Sequence, residues 1–146
     1  MNKIDEFRGK FYFLSNFYSA PVTYGGITYQ NNEAAFQAMK VLSNDIRKQF
    51  AELSPNHAKR KGRNVKLRDD WESVKEQYMY EIVLAKFRQN EVLRKRLLAT
   101  GSCELIEGNT WGDVIWGVCR GRGQNKLGKI LMRVRSELKD ETGEAE

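Results

Sequence analysis

Chemistry on a nucleotide-like molecule calls for an acid, a flat surface and backbone that can approach a ligand, and one short stretch supplies all three. Asp113-Val114-Ile115-Trp116-Gly117 stands between Gly101 and the glycine-rich segment from Gly121 to Gly128. A carboxylate stabilises a developing cation or guides a water, an indole face holds a heterocycle, and glycine admits close backbone approach. The same residues would also make a buried strand ending in a turn. A second acid, Glu33, follows Asn31-Asn32 at an expected helix start. There it serves as an electrostatic cap or, like Asp113, reaches a cleft from an element boundary. Trp71 opens an apolar helical stripe, so core packing competes with ligand stacking at that position. Glu107, before Gly108-Asn109, reads as an exposed loop acid.

Other chemistries find less support. The lone histidine, His57, follows Ser54-Pro55-Asn56 at a helix entry, with no serine or cysteine at a spacing that would make a catalytic pair. Cys103 and Cys119 lack a second pair or a histidine cluster, so thiols are expected in place of a disulfide or a zinc site. The acids are scattered, with no EF-hand or histidine-rich pattern, and neither a metal nor another cofactor is expected. The segment Gly121-Arg122-Gly123-Gln124-Asn125-Lys126-Leu127-Gly128-Lys129 enters a helix, but Ile130 follows where a P-loop requires Ser or Thr. Amides at a helix start attract phosphate whatever the motif, and Arg120, Arg122 and Lys126 add charge. This segment, with Asn125 in it, therefore reads either as an anion site or as a flexible loop.

The elements that must position these residues follow from periodicity and turn chemistry. Phe11-Tyr12-Phe13-Leu14 is β-like, and Val22-Thr23-Tyr24 and Ile27-Thr28-Tyr29 flank Gly25-Gly26 as a hairpin. Asn31 or Asn32 caps a helix over residues 33–42, Asn44 caps a second, and Ser54-Pro55 starts a third that ends near Gly62. Trp71, Val74, Tyr78, Ile82 and Ala85 form one apolar stripe, which predicts a helix from Asp69 or Asp70 to about Asn90. An amphipathic segment over 91–98 follows, then a strand over 104–107, and Val114-Ile115-Trp116 reads as another. Leu127, Ile130, Leu131, Val134 and Leu138 share one side of a last helix over 125–138, and the residues from Lys139 onward look polar and frayed. The class is α+β, a compact and mostly helical single domain with a small antiparallel sheet.

With 146 residues, 40% hydrophobic and 11% aromatic, the chain fits one domain over 1–140, with 141–146 as a polar tail. No apolar run approaches the ~18 residues of a membrane span, and Met1-Asn2-Lys3-Ile4-Asp5 lacks the basic-then-apolar order of a secretory signal. A cytoplasmic protein without membrane contact is expected. The formal charge of +6 attracts anions, which include phosphorylated substrates and nucleic acid. Its clusters are Lys59-Arg60-Lys61-Gly62-Arg63 with Lys66 and Arg68, Arg94-Lys95-Arg96, and Arg120 to Arg135; solvated helix faces would produce them equally well. Oligomeric state is not legible.

Several segments recur in one order: Leu14-Ser15-Asn16-Phe17-Tyr18, Glu33-Ala34-Ala35-Phe36-Gln37-Ala38 with Lys40, Gly62-Arg63, Asp70-Trp71, Lys86-Phe87 with Asn90, Thr100-Gly101, Asp113 to Gly117, and Gly123 to Arg135. In these the chain resembles the NADAR family, also called YbiA-like proteins, over nearly its whole length. The resemblance implies a compact α+β domain that hydrolyses N-glycosidic bonds without metal. It implies a phosphorylated ribosyl-base substrate: a phosphoribosylamino-pyrimidine intermediate of riboflavin synthesis, or ADP-ribosyl-guanine in DNA or RNA. It places Glu33, Trp71, Asp113 and Trp116 in the active site with Asn16 and Gly117 nearby, and matches Lys10 to a lysine that engages the opened sugar as an imine. Arg8 would tune Lys10, and Asn125 would contact substrate. Charge builds on the sugar as its C–N bond breaks, so one carboxylate near the anomeric carbon and another that transfers a proton suit the reaction. Asp113 in the first role and Glu33 in the second is one assignment, the reverse is the other, and Trp71 or Trp116 would stack on the base. Competing readings are a non-catalytic ADP-ribose or nucleotide binder and a basic nucleic-acid-binding protein.

Overall fold

The protein, a computed structural model, is described over residues 2–142. Its elements run β1 (Lys3–Ile4), a 3-10 helix (Gly9–Leu14), β2 (Val22–Tyr24), β3 (Ile27–Tyr29), α1 (Asn32–Ala38), α2 (Asn44–Lys48), α3 (Pro55–Asn64), α4 (Trp71–Gln89), α5 (Glu91–Ala99), β4 (Glu104–Leu105), β5 (Gly108–Asn109), β6 (Val118–Cys119) and α6 (Lys126–Thr142). The class is α+β, with helix predominating as expected. Gly25 and Gly26 both take positive φ, 59° and 83°, which turns β2 back onto β3 with Thr23 opposite Thr28. That hairpin is the antiparallel pair the sequence announces. Two further pairs are parallel, β1 with β4 and β5 with β6. Each strand there is two residues long, too short to carry a readable period-two pattern.

Contacts gather the described residues into two compact units, one built from those up to Ser15 and from Asn90 to Thr142, the other from Asn16–Gln89. In the second unit α1 packs on α3 and on α4, and α4 packs on β2. Its core includes Val22, Tyr29, Phe36, Phe50, Ile82 and Phe87. In the first unit α6 packs on α5 and β4, burying Leu97, Leu105, Leu131, Val134 and Leu138. Each such aliphatic side chain contributes roughly 1.5–3 kcal/mol on burial.

Several elements differ from their sequence expectation for identifiable reasons. Phe11-Tyr12-Phe13-Leu14 belongs to the 3-10 helix, which buries the successive residues Phe13 and Leu14; a strand would send them to opposite faces. The first helix stops at Ala38, where the Met39, Lys40 and Val41 amides turn to carbonyls three residues back. Ser43, not Asn44, caps α2 through the Ile46 amide. Gly62 lies inside α3, which continues to Asn64. Val114-Ile115-Trp116 forms no strand. The last helix runs through Thr142, past the expected break after Leu138, and residues 143–146 of the expected tail lie outside the described residues.

Candidate active site

In the second unit the start of α1 is built by asparagines. Asn31 caps it, its side-chain oxygen accepting from the Ala34 amide at 2.8 Å while its amide group donates to the Leu53 carbonyl at 3.0 Å. The next amides are then available to the neighbouring loop, and Glu33 N–H donates to the Asn16 carbonyl at 3.1 Å. Asn16, buried, also receives a long contact from Asn32 Nδ2 at 3.4 Å and sets its own Nδ2 3.3 Å from Met79 Sδ. The structure thus brings Asn16 and Glu33 together. Glu33 is half-buried, and Gln37, one turn later, donates Nε2 to its Oε2 at 2.7 Å. Two buried oxygens on the same helix, Asn32 Oδ1 and Gln37 Oε1, accept no hydrogen bond. Lys40 follows in the turn after the helix; burial lowers its pKa, and the Glu33 charge works in the opposite direction.

Trp71, at the start of α4, is 6% exposed and packs its ring 5.1 Å from Phe36. Its entry is set by Arg68, which binds Asp70 at 2.6 Å and donates to the Tyr78 hydroxyl at 2.9 Å. Core packing is thus the role this geometry shows for Trp71. Farther along α4, Lys86 is 1% exposed, its ammonium position over the rings of Tyr18 and Phe87, and burial pushes its pKa down to about 7. Position 86 continues the spacing from Tyr78 and Ile82, so the signal was a lysine standing in the register of an apolar stripe. Gln37 had a signal too, four residues from Glu33 on one helical face. His57 is exposed and pairs Nδ1 with the Ser54 hydroxyl at 3.0 Å, a capping arrangement.

In the first unit Asp113 organises a turn. Its Oδ1 accepts from the amides of Ile115 at 3.1 Å and Trp116 at 2.9 Å, while Oδ2 has no hydrogen-bond partner among the described residues. Asn109 holds the turn from below, donating to the Asp113 carbonyl at 2.9 Å and accepting from its amide at 3.0 Å. Trp116 is half-exposed. Gly117 is buried where a Cβ would stand 2.1 Å from Glu107 Oε1, so glycine is required by close approach.

At the start of α6 the backbone amides are already engaged. The amides of Gln124, Asn125, Lys126 and Leu127 donate to the carbonyls of Val114, Gly117, Ile115 and Trp116 at 2.8–3.2 Å, so the donors that would hold a phosphate hold the Asp113 loop. Asn125 is likewise committed to the fold, with φ 51°, its side chain accepting from the Glu107 amide and donating to the Leu105 carbonyl. Arg8 is exposed and meets Glu6 at 3.6 Å. Lys10 is exposed on the 3-10 helix and lines a cavity of about 510 Å³ with Phe11, Phe13, Arg96, Thr100 and Cys103. Neither Lys10 nor Arg96 pairs with a carboxylate among the described residues; Arg96 stacks 4.2 Å from the Phe13 ring and donates to the Lys10 carbonyl. Among the described residues no group of three or more His, Cys, Asp or Glu side chains could hold a metal ion, and no helix is long and apolar enough to cross a membrane.

Known proteins resemble this chain over most of its length. The model of the NADAR domain matches residues 5–139. The chain belongs to the NADAR family. This NADAR chain is 43% identical over 129 residues to N-glycosidase YbiA of Shigella flexneri serotype 5b (strain 8401), covering 86% of itself and 80% of that protein. It is 38% identical over 134 residues to riboflavin biosynthesis protein VVA0006 of Vibrio vulnificus, covering 88% of itself and 36% of that longer protein. The solution NMR structure of Escherichia coli YbiA superposes with a TM-score of 0.86 at 38% identity, over 99% of this chain and 90% of that one.

Proposed function

We propose that this NADAR-family chain, a hydrolase of N-glycosyl bonds, cleaves the ribosyl C–N bond of a phosphorylated ribosyl-base: either a phosphoribosylamino-pyrimidine intermediate of riboflavin synthesis or ADP-ribosyl-guanine in nucleic acid. The observation that carries the reading is Glu33, a half-buried carboxylate oriented by Gln37 on a helix that also carries two unsatisfied buried acceptors. As the C–N bond lengthens, electrons leave with the base and positive charge grows on the ribose. Glu33 transfers the proton the departing base requires. Asp113, whose Oδ2 is not consumed by its turn, supports the charge or positions the attacking water. Trp116, half-exposed at the end of that turn, offers the ring face on which a base stacks. Asn16 contributes by fixing the Glu33 backbone.

Each substrate class has its own support. The relative from Vibrio is named for riboflavin biosynthesis. A nucleic-acid substrate is favoured by the exposed Trp111, Val114 and Ile115 with the exposed cations Arg120 and Arg122 nearby in sequence, a combination suited to bases and phosphates. Incubation with both substrates and mass spectrometry of the released base and sugar decides between them. Glu33→Gln and Asp113→Asn should each lower kcat by roughly 10²-fold or more while ligand affinity stays within a few-fold. No turnover by the native protein, or equal loss of turnover and affinity in both variants, would instead identify a binding module. In the alternative route, the ring-opened sugar is an imine of the base's own amino group; Lys10 Nζ adds at C1 and expels that amine, and water then hydrolyses the Lys10 imine to the free sugar. Borohydride trapping under turnover would leave a secondary amine on Lys10; its absence removes this route.

A further inference from the structure

Gly62 makes no turn and has no positive φ, yet it occupies the interior of α3, where glycine costs about 1 kcal/mol relative to alanine. The reason lies on α1. A Cβ at position 62 would stand 1.9 Å from Gln37 Oε1 and 2.8 Å from its Cδ, so the Gln37 carboxamide lies directly against the α3 backbone. What faces Oε1 there is a Cα–H of Gly62, a weak donor that suits a carbonyl oxygen and would repel an amide N–H. This sets which end of the carboxamide is which. The oxygen faces Gly62, and the nitrogen is delivered to Glu33 Oε2 at 2.7 Å.

We propose that Gln37 is a positioning residue for Glu33, held in orientation by Gly62, and that it stabilises the carboxylate form of Glu33 when the proton is transferred. This rests on the assignment of proton transfer to Glu33. A donor aimed at a carboxylate oxygen favours the charged form, and the bond strengthens as charge develops. The carboxamide also fixes the plane of the Glu33 carboxylate, because donor and acceptor are four residues apart on one rigid helical face. Lys40, just past the end of α1, feels Glu33 together with Lys59 and Arg63 on α3 and Lys75 on α4, and Lys75 pairs with Glu72 at 2.6 Å. The Lys40 charge attracts the Glu33 carboxylate, and Gln37 adds orientation to that attraction.

The test compares Gln37→Met, Gln37→Glu and Gly62→Ala by pH–rate profiles on whichever substrate is turned over, and by carbon-13 NMR titration of the Glu33 carboxyl, which needs no turnover. Removing the donor in Gln37→Met should move the Glu33 titration up by about one pH unit and lower kcat about tenfold, with KM nearly unchanged. Gln37→Glu, which sets a second carboxylate against the first, should move it further in the same direction. Gly62→Ala should follow Gln37→Met in a Gln37 background and do nothing more in a Gln37→Ala background, because the displaced group is then absent. A purely structural Gln37 would change melting temperature without this ordering. An unmoved Glu33 titration in Gln37→Met and Gln37→Glu overturns the proposal even if Glu33→Gln is inactive. Native turnover in Glu33→Gln instead overturns the proton-transfer assignment on which it rests.

Discussion

At the scale of single residues, two acids of similar sequence standing are used differently. Asp113 spends one oxygen on the amides of its own turn, whereas Glu33 engages a side chain that itself is locked in place. Asx turns are local, so the first use was in principle readable from Asp113 and the three residues after it; the second depended on α3 meeting α1. Lys86 carries the clearest stability prediction. Its folded pKa of about 7 lies far below that of an unfolded lysine because burial penalises the ammonium. Between about pH 7 and 10.5 the unfolded chain therefore binds more protons than the folded one, and stability rises with pH through that window. Below it both forms are protonated and the full burial penalty remains. Chemical denaturation from about pH 7.5 to 9.5 should show a positive slope that Lys86→Met flattens, with the variant more stable than the native protein at the lower end. A parallel slope in the variant would assign the pH dependence to other groups.

At the scale of elements, turn and cap chemistry made most helices legible. Ser54-Pro55 opened α3, and Trp71, Val74, Tyr78 and Ile82 marked α4. Boundaries failed where a contact distant in sequence decided them. Glycine at 62 resembled a helix stop but serves close packing against Gln37, and the glycines before α6 resembled a phosphate cradle while its amides hold the Asp113 loop. Asn125 links these pieces, since its backbone and side chain reach Gly117, Glu107 and Leu105. Asn125→Ala should destabilise the protein by about 2–4 kcal/mol, combining two buried groups left unsatisfied with a φ that alanine resists. Asn125→Gly relieves only the backbone part and should fall in between. If denaturation midpoints of both variants match the native one, Asn125 does not anchor these segments.

At the scale of the whole molecule, the formal charge of +6 speaks to substrate size more than to fold. If the substrate is a modified nucleic acid, KM should rise steeply between about 50 and 200 mM salt while kcat holds, because phosphate contacts away from the reacting bond release counterions. A free phosphoribosyl substrate would show a shallow slope. Steady-state kinetics over that range checks it, and a flat KM with an oligonucleotide substrate would count against strand binding. The ordered residue pattern, the caps, the Gly-Gly hairpin and the amphipathic stripes were determined by sequence alone, because each depends on neighbours within a few positions or on a pattern borne along the whole chain. Only the tertiary structure decided that Lys86 is buried, that the α6 amides are occupied, and that Gly62 holds Gln37 against Glu33. Those facts come from segments far apart in the chain competing for the same space and the same hydrogen bonds, and no local spacing encodes which of them wins.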